Sequence, residues 1–211
     1  MDMNLFPTKG NLIIAKNSLA LSRQGFELLD KKRNILVREM MNMIDKAKKV
    51  NDEILVVFSE AYEALQDANI SLGISVVQQI GFAIPEEESI QIRDQSVMGV
   101  EIPIVSIDDR KMQPRYGFRM TNGTLDIARK KFERVKILSA QLAEIENSIY
   151  RLATNIRRTM KRTNALKNIM IPKYEGITST IENVLEEKER EEFSRLKVIK
   201  RVKERKSNFN S

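Results

Sequence analysis

The sequence predicts a predominantly α-helical protein: a long antiparallel two-helix coiled coil with a small β-hairpin inserted between the helices. Three observations predict it. An apolar seam runs at heptad spacing from Leu12 to Ser71, a second runs from Val135 to Val184, and between them two short runs alternate apolar and polar residues around Gly99.

The first seam steps by three and four residues through Leu12, Ala15, Leu19, Ser22, Phe26, Leu29, Arg33, Leu36, Met40 and Met43. It continues through Ala47, Val50, Ile54, Val57, Ala61, Ala64, Ala68 and Ser71, and only Ser22, Arg33 and Ser71 are not apolar. A surface helix of a globular domain drifts with the 3.6-residue period and stops after a few turns, whereas a seam that keeps a seven-residue phase needs a partner helix. No proline interrupts the run, and the lone Gly25 costs only about 1 kcal/mol against alanine. At 1.5 Å per residue the helix is roughly 90 Å long. Pro7 marks its entry, with Thr8 or Asn11 as N-cap. Gly73 and Gly81 weaken its far end, and Pro85 ends it by restricting Ile84.

Ile90 and Ile92 alternate with polar neighbours, as do Val100, Ile102 and Ile104 after Met98-Gly99. This predicts strands over about Ile90 to Met98 and Val100 to Ile107. The second is an edge, because Pro103 cannot donate to a ladder. A lone hairpin is marginal in water, so its apolar face should lie on the coiled coil or on a partner. The hairpin is expected to stand off at the end far from both termini. Glu86-Glu87-Glu88, Asp108 to Lys111 and Gln113 to Gly117 read as loop.

The second seam runs Val135, Leu138, Leu142, Ile145, Ile149, Leu152, Ile156, Thr159, Thr163, Leu166 and Met170, then resumes after Pro172 with Tyr174, Ile177, Ile181 and Val184. Because it resumes, Pro172 is expected to kink the helix without breaking it. Folding back places residue 71 beside about 125 and Leu12 beside about 184, so the two seams match in length and the helix beyond Val184 overhangs. The organisation is thus 1–81, a first long helix; 82–120, the insert with its hairpin; 121–206, a second long helix kinked near 172; and 207–211, a disordered tail.

Composition excludes several function classes. The 211 residues include 8 Gly, 5 Pro, 6% aromatic and 31% charged residues, which suits an elongated helical chain better than a round core. No apolar run reaches the roughly 18 residues that a membrane span needs, and Met1-Asp2-Met3-Asn4 lacks the regions of a signal peptide. Absence of cysteine removes disulfides and fits a cytosolic protein. Absence of histidine removes the usual general base and the commonest metal ligand. There is no phosphate-binding glycine loop. The acids at Glu86 to Glu88 read as solvated, those at Glu186-Glu187 and Glu191-Glu192 as i,i+4 partners of Arg190 and Arg195. The ten methionines read as core filler. No catalytic residue, cofactor site or metal site is expected.

One feature stands apart from the core. Between Glu146 and Glu175 there is no acidic residue, while Arg151, Arg157, Arg158, Lys161, Arg162, Lys167 and Lys173 all fall there. Against the seam, Arg157, Arg158, Lys161 and Arg162 point outward or flank it. In the antiparallel register Lys31, Lys32 and Arg38 lie at a similar height, completing a basic collar. With a net charge of +7, nucleic acid is a competing partner. The basic stretch carries only Tyr150 and Tyr174 for base stacking, however. A peripheral membrane tether is a third reading, resting on Phe193, Leu196, Val198 and Ile199 of the basic tail.

The residues also carry a resemblance. Pro7-Thr8-Lys9 with Leu12, the run Gly25-Phe26-Glu27-Leu28-Leu29-Asp30-Lys31-Lys32-Arg33-Asn34-Ile35-Leu36, and Met98-Gly99-Val100 with Pro103 are similar to the D subunits of V-type and archaeal-type ATPases. So are Arg157-Arg158-Thr159, Thr163-Asn164-Ala165-Leu166 and Ile171-Pro172. The motifs keep the family's order and reach to about Tyr174. Asp30, Asn34 and Lys167 depart from the family's usual lysine, aspartate and glutamate, and touch surface charge only. The resemblance implies the central rotor shaft of a rotary ATPase, non-catalytic and without cofactor. It implies as partners a ring of A-type and B-type subunits, a small stalk protein (the F subunit), and a funnel subunit that leads to the membrane ring. It places the chain in the cytoplasm, joined to the membrane through the complex. Neither nucleic-acid binding nor a membrane span is implied.

Overall fold

The computed structural model describes residues 6–84, 89–107, 116, 117, 119 and 121–207. In chain order these form helix α1 (Lys9–Leu72), helix α2 (Ile74–Ala83), strands β1 (Ile90–Val97) and β2 (Val100–Ile107), helix α3 (Gly123–Ala165), a π-helical segment (Leu166–Met170) and helix α4 (Ile171–Ser207). The fold is therefore the expected one: long helices that pair, with a two-stranded antiparallel sheet between them in sequence. The acidic loop at Glu86 to Glu88, the loop from Asp108 to Arg115 and the last four residues of the expected tail lie outside the described residues.

Local chemistry sets the helix ends. Thr8 caps α1, its Oγ1 accepting from the Asn11 amide at 3.2 Å, which satisfies one of the orphan donors of the first turn. At the other end α1 stops at Leu72, short of Gly81, because Gly73 takes φ +89°, a conformation that side chains resist. No residue of α2 is buried, and Phe82 is 82% exposed.

The chain packs as two compact units that ignore chain order: one unites the segment up to Arg33 with that from Arg158 onward, and the other comprises Asn34–Arg157. In the Asn34–Arg157 unit two clusters form the core. Ile54, Val57 and Ala61 of α1 meet Val135 and Leu138 of α3, with Phe58 and Phe132 packed against them. The second cluster joins Leu36 of α1, Val100 and Ile102 of β2, and Leu152 and Ile156 of α3. The antiparallel register is set where Ser71 Oγ lies 3.0 Å from Thr124 Oγ1 and accepts from Asn122 Nδ2 at 2.9 Å. That agrees with the pairing of 71 with about 125.

The hairpin is where the expectation fails. It does not stand off at the Ser71 end; it lies against Leu36, Val37, Met40 and Met43 of α1 and against α3. The reason is its composition: Val97, Val100 and Ile102 form one apolar face that leaves water only by reaching the seam. Two polar ties hold it there. The Val105 amide donates to Glu144 Oε2 at 2.7 Å, and Arg151 Nη1 donates to Asp94 Oδ1 at 3.1 Å and to the Glu101 carbonyl at 3.2 Å.

In the other unit, α1 and α4 are joined by a ladder of ion pairs. Lys9 reaches Glu189 at 2.9 Å, Lys16 reaches Glu182 at 2.6 Å and Arg23 reaches Glu175 at 2.6 Å. Both the cations and the acids recur every heptad, so all three rungs lie on one flank of the seam. The Glu189 carboxylate, by hydrogen bond and charge, holds the Lys9 ammonium above the usual lysine value. The core of this unit is small and partly polar: Ala15, Ser22, Thr159, Thr163, Thr178 and Ile181 are buried. Three of the hydroxyls cost little, because they turn back to their own helices. Ser22 donates to the Ser18 carbonyl at 2.8 Å, Thr163 to that of Thr159 at 2.9 Å, and Thr178 to that of Tyr174. Beyond Glu186 the described part of α4 is exposed throughout, the overhang foreseen.

Candidate functional site

The residues singled out from sequence fall into three places. The first is the basic face. Arg157, Arg158, Lys161 and Arg162 of α3 are exposed, as are Lys31 and Arg38 of α1, while Lys32 is half-buried. Among the described residues none of these seven joins an ion pair. By contrast, Lys9, Lys16, Arg23, Lys131, Arg134 and Arg151 each hold a carboxylate. Arg151, counted in the basic stretch by sequence, is thereby taken out of it by Asp94. On α3, Arg157 and Lys161, and Arg158 and Arg162, stand one turn apart. Such like-charged pairs destabilise a helix by roughly 0.2–0.5 kcal/mol each in isolation. Arg157 and Arg38 belong to the Asn34–Arg157 unit, and Lys31, Lys32, Arg158, Lys161 and Arg162 to the other.

The second place is the hairpin tip. Val97 pairs with Val100, and the two residues between them, Met98 at φ +52° and Gly99 at φ +75°, both take positive φ, as the tightest right-twisted hairpin turn requires. Glycine supplies this at no cost, and Met98 sits there against its preference. Pro103 is buried opposite Asp94. An open cleft beside the tip is lined by Gly99, Glu101, Tyr150, Arg151, Thr154 and Asn155. Arg151 in its wall is paired with Asp94 outside it and so is engaged in holding the hairpin.

The third is Pro172, second residue of α4. It lies two residues past the π-helical segment, whose closing bond runs from the Ile171 amide to the Leu166 carbonyl, five residues back. No loop interrupts the helix there. A proline ring crowds the carbonyl four residues earlier, and a widened turn just before it gives that carbonyl room.

Sequence reasoning missed the Lys9, Lys16 and Arg23 ladder, although seven-residue spacing of cations on one helix and acids on the other was a usable signal. It also missed Tyr116, read as loop, whose hydroxyl donates to Asp126 beneath the Arg129 guanidinium, 5.4 Å from the ring centroid. Burial first, then the hydrogen bond to Asp126, raises the Tyr116 pKa above the ordinary phenol value. Among the described residues no group of three His, Cys, Asp or Glu side chains could hold a metal ion, and no helix is long and apolar enough to cross a membrane.

A family model for the D subunit of ATP synthase matches residues 11–201. The V-type ATP synthase D subunit of Thermotoga neapolitana is 43% identical over 198 residues, 94% of this chain and 98% of that protein. The A-type ATP synthase D subunits of Pyrococcus abyssi and Methanobrevibacter smithii are 36% and 38% identical, each over 96% of this chain and over 96% and 89% of their own lengths. A match over nearly the whole chain, through both long helices and the hairpin between them, places this protein in the family of ATP synthase D subunits.

Proposed function

We propose that this chain is the central shaft of a rotary ion-translocating ATPase, turning inside a ring of alternating A-type and B-type subunits and performing no catalysis itself. ATP hydrolysis around the ring changes which face of the shaft each ring member favours, and the shaft turns to follow; synthesis runs the same coupling backwards. A small stalk protein sits on the helices beside the hairpin. The uncharged stretch from Ile70 to Ile84, with Ile70, Ile74 and Phe82 exposed, meets the funnel subunit that joins the shaft to the membrane ring. The complex then holds the chain on the cytoplasmic side of the membrane.

The observation that carries this reading is the exposed basic face at Arg157, Arg158, Lys161 and Arg162, which joins no ion pair among the described residues, in a chain of this family. A ring that grips an axle by deep apolar knobs fixes its angle. Charge acts over about 8 Å at physiological salt and varies smoothly with angle, so acidic groups on the ring hold a basic shaft centred and still let it turn. Each exposed pair is worth about 1 kcal/mol or less, so single substitutions are mild. Changing all four to glutamate should leave the helix content unaltered, weaken insertion into the ring and lower ATP turnover, with high salt reproducing the effect on the parent complex. Normal assembly and rotation of the quadruple variant would refute the assignment of that face.

A further inference from the structure

We propose that the π-helical segment Leu166–Met170 is a one-residue phase skip, kept in place by Pro172, that brings the acids of α4 onto the cations of α1. The inference stands on the α1–α4 packing alone and does not depend on the shaft reading. Upstream, the buried residues Leu152, Ile156, Thr159 and Thr163 follow one heptad phase. Downstream, the buried residues are Thr178 and Ile181. Each lies one residue past the position that the upstream heptad reaches, which are Ile177 and Thr180. Ile177 and Val184, at the unskipped positions, are only half-buried. On the partner helix there is no such slip: Ala15, Ser22 and Leu36 are all buried and keep the same seven-residue phase.

A π turn holds one residue more than the α turn it replaces, and the Ile171 amide reaching back five residues to Leu166 is that extra residue. One residue turns the face of a helix by about 100°. Without the skip, Tyr174, Ile181 and Lys188 would occupy the positions of Glu175, Glu182 and Glu189. Two apolar groups and a lysine would then face Arg23, Lys16 and Lys9. The skip therefore decides which flank of the pair is ionic and which residues α4 turns outward. Pro172 fixes where the extra residue sits, because a regular helix through it would press its ring on the Asn168 carbonyl.

The test exploits the fact that removing the extra residue leaves both phases intact. Exposed Lys167 is deleted from the full chain, alone and together with Pro172→Ala, and exposed Asn147 of α3 is deleted as the contrast. Thermal unfolding is followed by circular dichroism. Spin labels on Asn17→Cys and Asn183→Cys, in a chain without other cysteines, report the seating of α4 on α1. Deletion of Lys167 with Pro172→Ala should melt no lower than the parent and keep the label distance. Deletion of Lys167 alone should melt below that double variant, since the ring then meets the carbonyl. Deletion of Asn147 should melt far below both. If the double variant melts as low as the Asn147 deletion, or its label distance moves, the segment is not a phase skip and the proposal fails.

Discussion

Truncating Leu36 to alanine tests whether the hairpin is part of the core or an appendage to it. Leu36 is 0% exposed and contacts residues from β2 and α3, so three elements share the space that its side chain fills. Losing the burial of most of a leucine removes about 1.5–3 kcal/mol. The cavity left behind adds to this, and measured leucine-to-alanine costs reach roughly 2.7–5 kcal/mol. Two long helices and a tied hairpin cannot easily collapse on the gap, so a loss of about 3–4 kcal/mol is expected. That is a large share of the about 5–15 kcal/mol by which domains are stable. The same substitution at Leu28, on the same helix but 67% exposed, should change stability by no more than about 0.5 kcal/mol. Urea unfolding followed by circular dichroism measures both. Amide exchange adds a local reading: the Val105 amide, held by Glu144, should exchange faster in Leu36→Ala once the apolar contact beneath β2 is gone. A Leu36→Ala loss under about 1 kcal/mol, or equal losses at the two sites, would refute the three-element core.

Other outcomes follow from the same geometry. Gly25→Ala should stabilise by about 0.5–1 kcal/mol, because a Cβ there meets Leu166 Cδ1 at an ordinary 3.7 Å; Gly73→Ala, at φ +89°, should lower the melting temperature instead. Changing Lys9, Lys16 and Arg23 to glutamate should lower the melting temperature, added salt should narrow the difference, and exchanging Glu175, Glu182 and Glu189 for lysine in the same chain should restore it. A swap that restores nothing would mean that the rungs are incidental. Tyr116 keeps its proton more tightly folded than unfolded, so its contribution is complete below the unfolded value of 10.0 and is lost as pH rises through the raised folded value. An ultraviolet titration of phenolate, compared with Tyr116→Phe, should show one late-titrating tyrosine disappear with the substitution.

What could be read from sequence was what repeats locally. The α1 seam announced itself because an apolar residue returns every three or four positions without a proline, and each seam position from Leu12 to Ala68 is buried or half-buried. The strands could be placed because Ile90 and Ile92 alternate and Met98-Gly99 supplies a turn. The docking of the hairpin could not, since nothing local ties Val100 to Leu36. Nor could the shift at Thr178: Ile177 and Val184 extend the old heptad plausibly, and only the backbone bonding of Leu166–Met170 disqualifies them. For the basic face, sequence identified outward cations and no neighbouring acids, and the structure adds that among the described residues none of these cations joins an ion pair.

The regularity of the ladder has a consequence for how the chain finds its fold. Because its rungs recur with the heptad, α4 displaced by one heptad still sets Lys16 against Glu189 and Arg23 against Glu182. Electrostatics alone thus scarcely distinguishes the native alignment from its neighbour, and a displaced pair is a trap, since leaving it requires the helices to part. Discrimination falls to features that do not repeat: the glycine at 25 under Leu166 and the extra residue before Pro172. In a refolding experiment these irregular spots, more than the periodic seam, should govern how much of the chain reaches its native alignment on the first attempt.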